Sequence, residues 1–257
     1  MIHLKNEQEI ILYRETGKIA AEILTTLKDH VKPGVDTYTI AKYAEELIIN
    51  KYNAIPSSIG QYDFKFALNS SINNVICHGV PSKEDVLKDG DIINLDITVK
   101  KHGFIADTSR MYLVGNVSPE AKRLCDVTYE CLWKGIEQVK PGNTVGDIGY
   151  AIQRHATRND YTVVREYCGH GIGHKMHEEP QIAHYGTKGK GQILKKGMTF
   201  TIEPMINQGS RQIMHLADDW TVVTKDGKLS AQWEHTILVT DKGYEILTLR
   251  EEEAQLV

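Results

Sequence analysis

The chain repeats itself. Val31-Lys32-Pro33-Gly34 returns 108 positions later as Val139-Lys140-Pro141-Gly142, and Leu87-Lys88-Asp89-Gly90 returns 107 positions later as Leu194-Lys195-Lys196-Gly197. Two separate matches at nearly one offset predict a single domain of two related halves, about 1–115 and 116–257. In each half a helix runs into Lys-Pro-Gly, where Pro and Gly stop it. A second helix follows, capped by Asp36 or Thr37 in the first half and by Thr144 in the second. Asp147, three residues after Thr144, makes a variant capping box. Ser118, Pro119 and Glu120 read as N-cap, first helical residue and first-turn acid. Leu124, Val127, Cys131 and Leu132 then keep helical spacing. β-rich stretches follow the helices, at 92–114 and 199–240, so the expected class is α+β.

The 257 residues are compatible with one large domain, and a 41% hydrophobic content is enough for a sizeable core. The net charge of −4 is spread through the chain. No basic stripe marks a nucleic-acid or membrane surface. Glu251-Glu252-Glu253 reads as a solvated tail. The first five residues lack the apolar core of a signal peptide, and no apolar run is long enough to span a bilayer. A cytoplasmic protein is therefore expected, with Cys77, Cys125, Cys131 and Cys168 reduced. None of them stands in a C-x-x-C pair.

Residues 91–99 alternate. Ile93, Leu95, Ile97 and Val99 share one strand face; Asn94, Asp96 and Thr98 share the other. A turn within residues 100–103 returns the chain through 104–114, with Asp107 and Ser109 on one face. A two-residue loop of Lys101 and His102 would set Asp96 directly opposite Asp107. Like charges at such cross-strand positions are destabilising. A shared proton, a basic partner or a metal would relieve them; a shifted register with a solvated polar face is the plainer alternative. The repeat favours a cation, because moving Asp96 by 107 positions reaches Glu203 in Thr199-Phe200-Thr201-Ile202-Glu203-Pro204. Asp226-Gly227 marks a turn between residues 220–224 and a return strand carrying Glu234. Taken alone, a strand Glu more often faces solvent.

Cys168-Gly169-His170-Gly171-Ile172-Gly173-His174-Lys175-Met176-His177 holds three histidines at helical spacing. Three glycines in five positions oppose a helix, and the Glu of a zinc-protease helix is absent. The glycines instead suggest backbone passing close to a site, or positive φ. A neutral imidazole there suits metal ligation or oxyanion stabilisation, whereas His174 and His184 read as surface or packed histidines. Cys77-His78-Gly79 echoes the segment in the first half. No G-x-S-x-G elbow, P-loop or dinucleotide fingerprint is present.

Taken together, residues 73–81 (NNVICHGVP), 90–96 (GDIINLD), 104–108 (FIADT), 169–173 (GHGIG), 176–180 (MHEEP), 200–204 (FTIEP) and 230–236 (SAQWEHT) resemble the bacterial-like type I methionine aminopeptidases of metallopeptidase family M24. They run in family order and cover nearly the whole chain. The long insert of type II enzymes between His177 and Glu203 and an N-terminal zinc-finger extension are both missing from the pattern. The resemblance implies a pseudo-two-fold "pita-bread" (creatinase/aminopeptidase) fold, with a central antiparallel sheet and two helix pairs. It implies removal of an N-terminal methionine by two-metal hydrolysis. The implied ligands are Asp96, Asp107, His170, Glu203 and Glu234, a hard set suited to Mn²⁺, Fe²⁺ or Co²⁺ and tolerant of Zn²⁺. Glu203 would also be general base, His177 would stabilise the oxyanion, and His78 would contact and position substrate.

Ser58, Gln61, Phe64, Asn69, Met176 and Trp220 would line the side-chain pocket. Asn69 and Gln61 stand where cysteine and tyrosine are usual, and Lys65, Ala67 and Asn74 also depart from the family pattern. A retained methionine preference with altered efficiency is expected. The implied partners are a peptide or nascent-chain N-terminus and transient contact with the ribosome, for a monomer without nucleic-acid specificity. An X-Pro peptidase is the enzymatic rival, although those usually carry a large N-terminal domain. A non-enzymatic binding protein on the same fold, or a duplicate acting through partners, is the other; retention of all five ligands disfavours it.

Overall fold

The computed structural model describes residues 2–256. Four helices grow from local signals. Helix α1 (Glu7–Leu27) opens at Asn6, whose side chain accepts the Gln8 and Glu9 N–H groups while the Glu9 carboxylate accepts from Asn6. Helix α2 (Thr37–Glu46) caps on Asp36, which accepts the Thr39 N–H at 2.7 Å. Helix α3 (Pro119–Ile136) caps on Ser118, and α4 (Val145–Arg158) on Thr144, with Asp147 closing the box. The Asn6, Asp36 and Ser118 side chains satisfy N–H groups that a helix start leaves without partners, at about 1 kcal/mol apiece, whereas the Thr144 N–H and hydroxyl both donate to Asp147.

One backbone pattern occurs twice. The Gly34 N–H donates to Leu87 O and the Leu87 N–H to Val35 O. At the repeated positions Gly142 donates to Leu194 O and Leu194 to Asn143 O. Short bridges, Asp36 with Val86 and Thr144 with Ile193, complete each copy.

Strands pair antiparallel throughout the described residues. A four-stranded sheet centres on Ile92–Lys101, paired with Leu68–Ile72, Phe104–Leu113 and the short Ile55–Pro56. A five-stranded sheet runs in the order Tyr244–Ile246, His235–Val239, Thr199–Ile202, Gly169–Gly171, Glu178–Ile182. The alternation reads through: Ile93, Leu95, Ile97 and Val99 enter one core with residues of α1 and α2. A second core joins α3 and α4 to Phe200, Ile202, Ile237 and Val239. The polar faces are left to meet. There the two sheets are stitched: Thr236 Oγ1 accepts from the Asp107 N–H and donates to Asp107 O, and the Glu234 N–H donates to Ser109 O.

Three expectations are corrected. The hairpin turns at His102-Gly103, with φ of +52° and +84°, so Asp96 stands opposite Ser109 and Asp107 opposite Thr98. Positive φ at both central residues gives a turn whose twist matches its strands, and glycine makes it cheap. Asp96 and Asp107 are therefore diagonal neighbours. The Asp226-Gly227 signal does produce a turn, but its flanking strands do not pair. Val222–Thr224 joins Val75–Cys77, and Ser230–Gln232 joins Met205–Asn207. Finally, Glu253 is buried, clamped by Arg250 at 2.6 Å.

Candidate metal centre

The polar face of the aspartate hairpin forms the floor of a cavity of about 560 Å³. Asp96, Asp107 and Glu234 each bring an oxygen to within 4.8 Å of the other two. Glu203 follows directly on Thr199–Ile202, and Thr201 Oγ1 donates to its Oε1 at 2.7 Å. His170 completes the group, its Nε2 3.5 Å from Glu203 Oε1 and 3.9 Å from Asp107 Oδ2. His170 Nδ1 lies 3.0 Å from Gly171 O, which fixes it as the N–H donor and leaves the Nε2 lone pair facing the acids. Glycines make this approach possible: a Cβ at Gly169 would meet Thr201 O at 2.3 Å, and one at Gly171 would meet Glu179 O at 2.1 Å. Close packing, not positive φ, is what these glycines supply.

Electrostatics mark the floor as under tension. Burial, then the neighbouring acids, raises Asp96 and Glu234 well above the carboxylate range, and burial raises Asp107 and Glu203 as well. Burial lowers His170 to about 4, so its imidazole is neutral. No Lys or Arg lines the cavity. Asp96 Oδ1 is buried without a hydrogen-bond partner. Four carboxylates, one neutral imidazole and an orphaned oxygen fit a hard divalent cation.

Every site residue singled out from the sequence lines this one cavity. His177 packs its ring 4.4 Å from that of His170. His78, in the left-handed region at φ +57°, sets its ring edge-on to Tyr167 and Trp220, and burial lowers it to about 4. Phe64 and Trp220 form one wall, with rings 4.8 Å apart, and Met176 and Gln61 stand beside them. Ser58 donates its hydroxyl to Phe66 O, so it offers the cavity little polarity. Asn69 pairs with Asp96 across the sheet and keeps Oδ1 buried without a partner.

Sequence reasoning missed other lining residues, among them Tyr62, Thr98, Tyr167 and Met205. Thr98 was findable, since it shares a strand face with Asp96. Tyr62, held at φ +48°, carries no sequence signal. His184 is packed as expected, yet its Nε2 accepts the Glu203 N–H at 3.1 Å and so holds the carboxylate's backbone.

Known proteins resemble the chain over nearly its whole length. Residues 12–241 match metallopeptidase family M24. A methionine aminopeptidase of Escherichia coli (strain K12) is 47% identical over 252 residues, 98% of this chain and 96% of that protein. The crystal structure of methionine aminopeptidase from Rickettsia prowazekii superposes with a TM-score of 0.95 at 49% identity, covering 97% of this chain and 100% of that one. A prolidase from Pyrococcus horikoshii OT3 shares the fold alone, with a TM-score of 0.76 at 22% identity over 96% of this chain and 64% of its own. Matched over nearly its whole length by these relatives, the chain belongs to metallopeptidase family M24, among the bacterial-type methionine aminopeptidases.

Proposed function

We propose that the chain removes the N-terminal methionine from peptides and nascent proteins, using divalent ions held by Asp96, Asp107, His170, Glu203 and Glu234. The observation that carries this reading is the buried acid floor, with its unpartnered Asp96 Oδ1, set in the same cavity as the Phe64–Trp220 wall. Two ions share the five ligands, and Mn²⁺, Fe²⁺ or Co²⁺ suit them, with Zn²⁺ tolerated. When bound, such ions lower the pKa of a water and polarise a carbonyl.

The chain's own side chains do the rest. Glu203 takes the proton of the attacking water, its Oε1 steadied by Thr201. His177, beside His170, donates to the developing oxyanion. His78, beside Trp220, contacts and positions the peptide. A free α-amine offers a lone pair to an ion held near Asp96, and an internal amide nitrogen does not; this confines cleavage to the first bond. The methionine side chain rests on Phe64, Trp220 and Met176 through apolar and sulfur–aromatic contacts.

We assign residues 1–257 to one catalytic domain of two related halves, a reading supported by the repeated backbone pattern and the stitched sheets. It acts as a cytoplasmic monomer with transient ribosome contact. In support, all four cysteines are free, and no helix among the described residues is long and apolar enough to cross a membrane.

The test is hydrolysis of Met-Ala-Ser and Ala-Pro-Ser by metal-free protein resupplied with Mn²⁺ or Fe²⁺. Release of methionine alone is expected. Cleavage only before proline would transfer the protein to the X-Pro class, and no cleavage with either metal would overturn the enzymatic reading.

A further inference from the structure

A second cluster of metal-binding side chains lies outside the cavity. His3, Glu9 and His174 each present one ligand atom, all within 4.8 Å of one another. His3 Nε2 is 2.9 Å from Glu9 Oε1, and His174 Nε2 is 3.8 Å from the same oxygen. An ordinary surface pair would set one imidazole on that oxygen; here two converge on it.

Each ligand is held from behind. His174 lies against the Phe104 ring, with centroids 4.6 Å apart, and its Nδ1 is 3.0 Å from Gly103 O. That bond makes Nδ1 the N–H donor and turns the Nε2 lone pair toward Glu9. Glu9 spends Oε2 on the Asn6 N–H at 2.8 Å, leaving Oε1 to the imidazoles. The buried Lys5 ammonium donates to His3 O and to Ile172 O, both at 3.2 Å, and so fixes the backbone of residue 3 against the histidine loop. A tetrahedral ion with metal–ligand distances near 2.0–2.1 Å needs ligand atoms roughly 3.3 Å apart. The observed 2.9 and 3.8 Å bracket that value, and both histidine side chains are about half exposed, free to adjust by the few tenths of an ångström required.

We propose that His3, Glu9 and His174 bind one further divalent transition-metal ion, with water completing its coordination. Two neutral imidazoles and one carboxylate select borderline ions such as Zn²⁺, Co²⁺, Ni²⁺ or Cu²⁺ over Mg²⁺ or Ca²⁺. The ion staples the segment before α1 to the loop between His170 and His177. This site is independent of the cavity, so it stands or falls apart from the proposed activity.

Equilibrium dialysis tests it. Protein preloaded with Mn²⁺ is titrated with Zn²⁺, and both metals are counted per chain in wild type, His3→Asn and His174→Asn. Wild type is expected to hold one more ion in total than either variant, each variant's affinity for that ion falling by at least about tenfold. His3→Asn should also hydrolyse substrate at the wild-type rate. Superimposable zinc isotherms for all three proteins would overturn the proposal. So would a loss in His174→Asn alone, because His3 would then not be a ligand.

Discussion

Asp96, Asp107, Glu203 and Glu234 lie in or beside paired strands, whereas Phe64, Met176 and Trp220 lie in the segments between elements and Gln61 opens a single turn of 3-10 helix, Gln61–Asp63. The two groups face one cavity but are restrained differently. On the floor, Asp107 is tied on both sides of its peptide to Thr236, and Glu234 is 1% exposed. On the slot side, Tyr62 is 73% exposed, and Phe64 and Trp220 are held by contact between their rings and by local turn bonds, from the Phe64 N–H to Gln61 O and from the Trp220 N–H to the Asp218 carboxylate. The chemistry proposed above thus falls on backbone-locked positions, and the proposed side-chain recognition falls mostly on segments outside the sheets. Of the departures from the family pattern, Gln61 and Lys65 fall outside the sheets, whereas Asn69, though it lines the slot, stands in the strand Leu68–Ile72 opposite Asp96, and Ala67 is buried in the core.

The comparison can be broken at its strongest point first. Glu203→Gln keeps the shape and removes the proton acceptor, so kcat should fall by about 10²–10⁴ with KM little changed. Steady-state kinetics at matched metal content would show this, and wild-type-like turnover would remove Glu203 from its role. Behind the floor, Arg250 donates to Ser109 O and Thr108 Oγ1 and pairs with Glu253. Arg250→Ala leaves the buried Glu253 carboxylate with only His235 and Tyr129 beside it and should cost about 3 kcal/mol; a urea midpoint close to that of wild type would show that the floor does not lean on this pair.

The same pair sets a pH dependence. His235 and Arg250 hold the Glu253 carboxyl far below its ordinary 4.5 despite its burial. A depressed pKa means that the folded state binds the proton less readily than the unfolded one. The contribution is therefore complete above about pH 4.5 and is lost as pH falls further toward the folded value. The stability gap between wild type and Glu253→Gln should be constant from pH 5 to 7 and shrink below 4.5, as followed by urea denaturation; a gap that widens in acid would reverse the sign. The smallest effect belongs to the slot. Asn69→Cys should shift kcat/KM on methionyl peptides by less than about tenfold, the scale of a sulfur or polar contact, and leave metal affinity unchanged. Altered metal binding in that variant would mean that the slot and the floor are not separable.

These regions also differ in how far the sequence discloses them. Caps at Ser118 and Thr144 and the alternation of residues 92–99 are local, and they appear where expected. Carrying Asp96 by the repeat offset to Glu203 brings together two residues that line one cavity. The hairpin register was misread by one position on each strand, because the choice between Lys101-His102 and His102-Gly103 rests on backbone φ that spacing does not reveal. Asp226-Gly227 misled in a similar way: a turn signal says where the chain bends but not which sheet each arm joins. Glu253 looked like part of a solvated run because its partners, Arg250 and His235, are visible only in three dimensions. Tyr62 and the link from His184 to Glu203 are long-range or loop features with no periodic signature.

The stitching of the sheets at Thr236, Asp107 and Glu234 has a kinetic side. Residues more than a hundred positions apart must meet before any of these bonds exists, and such distant pairings form slowly because chain closure costs entropy before contacts repay it. Helices α3 and α4 can condense early around near neighbours, but the acid floor can assemble only when the two sheets dock. Like charges oppose that docking, so divalent ions supplied during refolding should speed the final phase as well as stabilise its product.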